Sequence, residues 1–144
     1  MTTDTVLTID PRDDLTLVAG QATTLRLRIA IAPDFHVQAN PASDEFLVPL
    51  QLQLEPRSDI HAEAPSYPPG SPYRLQGADS DLLIYEGTFG IDLPIVAEPT
   101  APPGNYTLSG QIRYQACDAH SCLAPASVPI DINVRVVETA TRSV

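Results

Sequence analysis

Two long runs of alternating apolar and polar residues flank one short polar turn near the C-terminal end of this chain. Before the turn, Tyr106, Leu108, Ile112 and Tyr114 alternate with Thr107, Ser109, Gln111 and Arg113. After it, Val128, Ile130, Ile132, Val134 and Val136 alternate with Pro129, Asp131, Asn133 and Arg135. Successive side chains on a strand point to opposite faces, so this period predicts two half-buried strands joined as a β-hairpin. Proline works against helix elsewhere. Fifteen of the 144 residues are proline, about twice ordinary usage. They mostly punctuate the chain, marking turns and edge strands.

Upstream, the pattern predicts further strands and no helix. Val6 to Val18 reads as two short strands about a turn at Asp10-Pro11-Arg12-Asp13. Thr24 to Ile31 is a strong strand, with Leu25, Leu27, Ile29 and Ile31 inward and Arg26 and Arg28 outward. Phe46 to Leu54 reads as another, with Phe46, Val48, Leu50, Leu52 and Leu54 on one face and Pro49 marking an edge or a bulge. Ile60 to Ala64, Leu82 to Tyr85 and Thr88 to Leu93 follow. Ser66 to Asp81 is read as the longest irregular stretch, a length often functional or mobile. The total is about eight or nine short strands with turns every 8–12 residues. That is the pattern of an all-β, immunoglobulin-like β-sandwich. We read residues 1–144 as one domain, with 138–144 a frayed tail.

Charge narrows the partners. The formal net charge is −10, and the 8 basic residues are scattered, so a phosphate backbone is an unsuitable ligand. No apolar run approaches the ~20 residues of a membrane span. Met1-Thr2-Thr3-Asp4 does not read as a signal peptide. The expectation is a cytoplasmic chain or one whose signal has been removed, and a disulfide favours the second, in the periplasm or outside the membrane.

The polar turn holds the only two cysteines, Cys117 and Cys122. Opposed residues on antiparallel strands have Cα atoms about 4.5–5.5 Å apart, a range that overlaps the span of a disulfide. The two cysteines are therefore expected to be able to bond. A ring of about six residues gains roughly 2 kcal/mol from chain entropy. Three readings stay open from spacing alone. The bridge is a structural staple, as in an extracytoplasmic interaction module, or a redox pair at an exposed turn that opens without unfolding the domain. Alternatively, Cys117, His120 and Cys122 hold copper or zinc, although no fourth ligand is evident.

Several segments together resemble a known family. They are His36-Val37-Gln38-Ala39-Asn40-Pro41-Ala42-Ser43, Phe46-Leu47-Val48-Pro49, Tyr67-Pro68-Pro69-Gly70, Ile84-Tyr85-Glu86-Gly87, Tyr114-Gln115-Ala116-Cys117 and Cys122-Leu123-Ala124-Pro125. In this order, from about Phe35 to Val136, the chain resembles the N-terminal periplasmic domain of the thiol:disulfide interchange protein DsbD, or disulfide bond corrector domain. The resemblance implies an immunoglobulin-like sandwich with a redox-active cysteine pair that needs no cofactor. It implies a protein-disulfide reductase domain. Reducing equivalents would arrive from a transmembrane and a thioredoxin-like domain. They would pass to thioredoxin-fold partners such as disulfide isomerases and cytochrome c maturation proteins. Cys122 would form the mixed disulfide and Cys117 would resolve it. The chain would be either an excised domain or a free-standing relative.

The family also caps its cysteines with a loop, which by position falls within Tyr67 to Leu83 and takes in Tyr67, Pro69, Gly70 and Tyr73. Two departures stand out. The cysteine spacing is one residue shorter than in the best-known member. The acidic-aromatic cap motif has no clear counterpart there; Tyr73 is the nearest aromatic, and Asp44-Glu45-Phe46 lies in the wrong part of the chain.

Other residues carry two readings each. His36 is a polar strand-end residue, or it lies under the cysteine hairpin and tunes it. Tyr85 and Tyr114 are core residues with hydroxyls reaching the surface, and Tyr114 also suits a wall of the cysteine site. Glu86 is a solvated strand-end charge or a contact for the pair. Asp118 disfavours a thiolate at Cys117, and a protonated His120 favours one at Cys122. With no helix N-terminus nearby, the expected thiol pKa values are ordinary.

Overall fold

The computed structural model describes residues 6–10, 15–43, 45–74, 77 and 80–138. These form twelve strands: β1 (Leu7–Ile9), β2 (Leu15–Val18), β3 (Ala22–Ile31), β4 (His36–Gln38), β5 (Gln51–Leu54), β6 (Ile60–Ala62), β7 (Ser71–Tyr73), β8 (Leu82–Tyr85), β9 (Thr88–Ala97), β10 (Gly104–Tyr114), β11 (Ala116–Cys117) and β12 (Ala126–Val137). Three four-stranded sheets result, in the orders β1-β3-β9-β6, β2-β12-β10-β5 and β11-β4-β8-β7. The fold is all-β, an immunoglobulin-like sandwich.

The expected hairpin is present. β10 and β12 pair antiparallel without a break from Gly104↔Val136 to Tyr114↔Ala126. Their alternation is realised as written: Leu108, Ile112, Ile130, Ile132, Val134 and Val136 are buried. Outward residues bond across the ladder, Ser109 Oγ donating to Asp131 Oδ1 at 2.7 Å and Thr107 Oγ1 to Asn133 Oδ1 at 3.1 Å. β3 and β9 pair along nearly their whole lengths. Leu27, Ile29, Ile91, Leu93 and Ile95 bring a second apolar face into the same core.

Three expectations need correction. Phe46 to Leu54 is not one strand, because only Gln51–Leu54 is paired. The backbone donors before it go elsewhere: Val48 N–H to the Gln115 side chain and Leu50 N–H to the Gln38 carbonyl. Pro49 has no donor, and Phe46 is 84% exposed instead of inward. Ser66 to Asp81 is not wholly irregular, since it contains β7, which pairs with β8. The two short strands expected within Val6 to Val18 are β1 and β2, of which β1 pairs with β3 and β2 adds parallel to β12. Pro94 does not end a strand at Leu93, since β9 runs through it to Ala97, while Pro129 lies inside β12 as the alternation predicts. At Pro129 the second side of β12 is open, because β2 covers only Val134 to Val137. The turn expected at residues 10–13 and the tail at 138–144 lie largely outside the described residues.

β5 sits so close to β10 that Gly110 has no room for a side chain. A Cβ there would collide with the Gln53 carbonyl oxygen and come within 2.8 Å of Leu54 Cα. Gly110→Ala is therefore expected to lower stability by about 1–3 kcal/mol, read as a drop in the urea midpoint of the oxidised protein. An unchanged midpoint would show that β5 can move away at no cost.

Candidate redox site at Cys117 and Cys122

The β10–β12 ladder ends at Tyr114↔Ala126, and residues 115–125 leave it. They join the third sheet, where β11 pairs with β4 through Ala116↔Val37 and Cys117↔His36. The turn closes on its own backbone. Asp118 N–H donates to the Ser121 carbonyl at 2.9 Å, and Leu123 N–H to the Ala116 carbonyl at 2.7 Å. The Asp118 carboxylate accepts from the N–H groups of His120 (2.8 Å) and Ser121 (2.9 Å). Those bonds hold its pKa below the usual carboxylate range. Asp118 thus organises the turn, as aspartate commonly does by bonding to backbone a few residues on.

Cys117 and Cys122 face each other as an antiparallel bridge and are joined by a disulfide. Their Cα atoms are 3.9 Å apart, closer than the regular ladder spacing the hairpin implies. The two sulfurs are not equivalent in access. Cys117 is fully buried, whereas Cys122 is half-buried on the outer limb of the turn.

β4 forms the floor, and its three side chains are all buried. His36 is 3% exposed and lies directly across from Cys117. The ring of Tyr73, from β7, lies against its imidazole with centroids 4.2 Å apart. Burial pulls the His36 pKa down; the nearby negative charges of Glu86 and Asp118 pull the other way and do not cancel it. His36 is both the first residue of β4 and the residue paired with Cys117. Its Nε2 has no hydrogen-bond partner among the described residues.

Gln38 was not singled out from sequence, yet it touches both sulfurs. Its side-chain Nε2 lies 3.2 Å from Cys117 Sγ and 4.0 Å from Cys122 Sγ. A glutamine between Val37 and Ala39 carries little signal, because a three-residue strand is too short to show a period. A polar residue flanked by apolar ones was the only hint.

The remaining candidates are placed as follows. The Tyr85 hydroxyl does not reach for solvent: it donates to the Pro68 carbonyl at 2.7 Å and accepts from Asn40 N–H at 3.1 Å. It ties the turn after β4 to the Tyr67–Gly70 segment. Tyr67 accepts from Leu52 N–H at 2.9 Å, which fastens that segment to β5. Burial raises the pKa of Tyr67, Tyr85 and Tyr114 alike. Tyr114 belongs to the sandwich core. Pro69 is exposed, and Gly70 lies where a Cβ would meet Ala39 Cβ at 2.6 Å and Leu83 Cβ at 3.0 Å. Glu86 and His120 are exposed at the ends of β8 and of the cysteine turn. The two sulfurs are bonded to each other, and among the described residues no three His, Cys, Asp or Glu side chains converge as a metal-binding set.

The lowered His36 pKa has a consequence for folding. The unfolded chain takes up a proton near pH 6.5, the ordinary histidine value, before the native protein does. Stability is therefore present above that value and declines as the pH falls below it. His36→Gln is expected to remove up to about 1.4 kcal/mol per pH unit of this decline below about pH 6.5. Urea midpoints of the oxidised wild type and variant across that range test it. Parallel curves would show that His36 takes no part.

Comparison with known proteins fits this geometry. The model of the family described as thiol:disulfide interchange protein DsbD, N-terminal, matches residues 4–132. Among solved structures, the N-terminal periplasmic domain of ScsB from Proteus mirabilis superposes with a TM-score of 0.53 at 13% identity, covering 90% of this chain. The chain spans 44% of the length of that structure. The reduced N-terminal domain of DsbD from Neisseria meningitidis matches at 16% identity over 76% of each chain, with a TM-score of 0.44. No curated protein sequence matches. A match over most of the chain, ending beyond both cysteines, shows that it belongs to the family of DsbD N-terminal domains.

Proposed function

We propose that this domain passes reducing equivalents to thioredoxin-fold partners by dithiol–disulfide exchange through Cys117 and Cys122. The observation that carries the reading is the unequal access of the two sulfurs. Exchange proceeds by in-line attack of a thiolate on one sulfur of a disulfide, through a mixed disulfide. A protein-sized thiolate can reach half-buried Cys122 but not Cys117, which is fully buried. Cys122 is thus the sulfur that bonds to the partner. Cys117 is the one that leaves, or that returns to attack Cys122 and release the partner. The compartment fits as well: the ScsB domain is periplasmic, and the same extracytoplasmic setting is proposed here.

The surface beside the disulfide suits docking. Among the described residues, the exposed large hydrophobic side chains are Phe46 (84%) and Leu123 (43%). One side chain connects their segments: Gln115 Oε1 accepts from Val48 N–H at 2.9 Å, and its Nε2 donates to the Leu123 carbonyl at 3.2 Å. Apolar anchors beside a reactive sulfur are what a thioredoxin-fold partner needs around its own active-site cysteine. The Tyr73 ring lies against that of His36, with centroids 4.2 Å apart, a contact that supports the reading of a cap at β7.

The first measurement is the redox midpoint in dithiothreitol and glutathione buffers. A value between about −180 and −270 mV belongs to exchange proteins, and one below about −300 mV marks a structural bridge and ends this reading. Cys117→Ser is expected to trap a mixed disulfide with a thioredoxin-fold protein through Cys122, whereas Cys122→Ser is not. Equal trapping by both variants, or by neither, contradicts the assignment. Phe46→Ala combined with Leu123→Ser is expected to slow exchange with that protein about tenfold and leave reduction by dithiothreitol unchanged. Equal slowing of both reactions would place these residues in the fold instead of the interface.

A further inference from the structure

We infer that Gln38 is a thiolate-stabilising residue: its side-chain amide is built to donate a hydrogen bond to Cys117 when that sulfur becomes charged. The inference rests on the exchange reading and concerns a residue to which that reading gives no part. In the disulfide state the amide lies over both sulfurs and nearer to Cys117, at 3.2 Å against 4.0 Å. A disulfide sulfur has lone pairs and no proton, so the NH₂ end of the amide is the end that faces it.

The donor is held in place before any charge appears. Gln38 N–H donates to the Gln115 carbonyl at 3.1 Å, and the Gln38 carbonyl accepts from Leu50 N–H at 3.1 Å. The backbone is thus clamped to the cysteine limb on one side and to the chain entering β5 on the other. Gln38 is fully buried, and its Oε1 has no hydrogen-bond partner among the described residues. An amide placed for packing alone would be expected to satisfy its oxygen. Here the nitrogen's contact with sulfur is kept and the oxygen's bond is forgone.

The need for a donor follows from the chemistry. When a partner thiolate attacks Cys122 Sγ, a new S–S bond forms there and the Cys117–Cys122 bond breaks. The electron pair of the broken bond goes to Cys117 Sγ, which leaves as a thiolate and later takes a proton from water. In the opposite direction the same thiolate attacks the mixed disulfide and expels the partner's sulfur. Both directions pass through a negative charge at a fully buried atom, and burial disfavours that charge. The chain has no lysine, Arg26, Arg28 and Arg74 are paired with Asp92, Asp10 and Asp81, and the Asp118 carboxylate is turned to its own backbone. Hydrogen bonding to the charged form lowers a pKa, so a fixed N–H donor offsets part of the cost without placing a permanent charge in the interior.

The test needs no partner protein. In reduced protein carrying Cys122→Ala, Cys117 is the sole thiol, and its ionisation is followed by ultraviolet thiolate absorbance against pH. Adding Gln38→Leu is expected to raise the midpoint by about one unit, a tenfold loss of thiolate below both midpoints. Gln38→Glu keeps the shape and is expected to raise it as well, because a carboxylate opposes a second negative charge. In the two-cysteine protein, Gln38→Leu then slows reduction by dithiothreitol about threefold at neutral pH. In that reaction Cys117 is the leaving group, and a leaving thiol of higher pKa departs more slowly. Should Gln38→Leu fail to fold, Gln38→Met, close in length and without a donor, takes its place. An unchanged or lowered midpoint in a folded variant overturns the inference. A raised midpoint in a protein that exchanges with no thioredoxin-fold partner would sink the exchange reading and leave the Gln38 contact standing.

Discussion

The cysteine pair depends on a strand only three residues long. β4 has β11, with Cys117, on one side and β8 on the other. Val37 turns into the main core, while His36 and Gln38, two residues apart, share the opposite face. That face is where the sulfurs lie: His36 pairs with Cys117, and the Gln38 amide contacts both cysteines. Short strands are weakly held by their own ladders. This one is secured by neighbours, through Gln38 N–H to Gln115, Ala39 N–H to Leu83 and Leu50 N–H to Gln38. Remove these bonds and the cysteine turn becomes the free tip of a long hairpin.

The two larger sheets carry the stability, and the third carries the chemistry. β3, β9, β10 and β12 close an apolar core in which the Leu, Ile and Val side chains are buried almost completely. A disulfide ring of about six residues adds roughly 2 kcal/mol at most by chain entropy, so the domain does not hang on it. The backbone bonds from Asp118 to Ser121 and from Leu123 to Ala116 do not involve sulfur. They can persist when the S–S bond opens, which keeps the two thiols adjacent and ready to close again.

Much of this was legible in the sequence, for a physical reason. The alternation in β10 and β12 is long, and a period read over about ten residues survives an exception such as Pro129, whereas in β9 the reading stops at Leu93, one residue before Pro94, although the strand runs to Ala97. The pairing of Cys117 with Cys122 followed from the same hairpin geometry. What failed to show was local and short. β7 is Ser71-Pro72-Tyr73, three residues with a central proline, and no pattern marks it as strand. The run from Phe46 to Leu54 has the right alternation but not the right partners, because its donors are claimed by Gln115 and Gln38. Alternation reports which faces differ, not whether a neighbouring strand is there to be paired. Gln38 was hidden for the same reason as β4 itself: its role depends on atoms brought from residue 117, which local sequence does not display.

The buried polar atoms of β4 explain why the site uses neutral groups. His36 Nε2 and Gln38 Oε1 are the buried side-chain nitrogen and oxygen atoms without a partner among the described residues. Each orphan of this kind costs about 1–3 kcal/mol, and folds keep few of them. Both lie on one strand, in the residues nearest Cys117. A buried lysine or arginine would stabilise a thiolate more strongly, but in the disulfide state it would be an unpaired charge in the interior, at a far larger cost. An imidazole kept neutral by burial and a carboxamide are cheaper to hold while the sulfurs are bonded and uncharged. The Gln38 amide nitrogen, already 3.2 Å from Cys117 Sγ, would gain a charged acceptor when that sulfur becomes negative. A site that alternates between a neutral disulfide and a transient thiolate is better served by groups that tolerate both states than by one suited to the charged state alone.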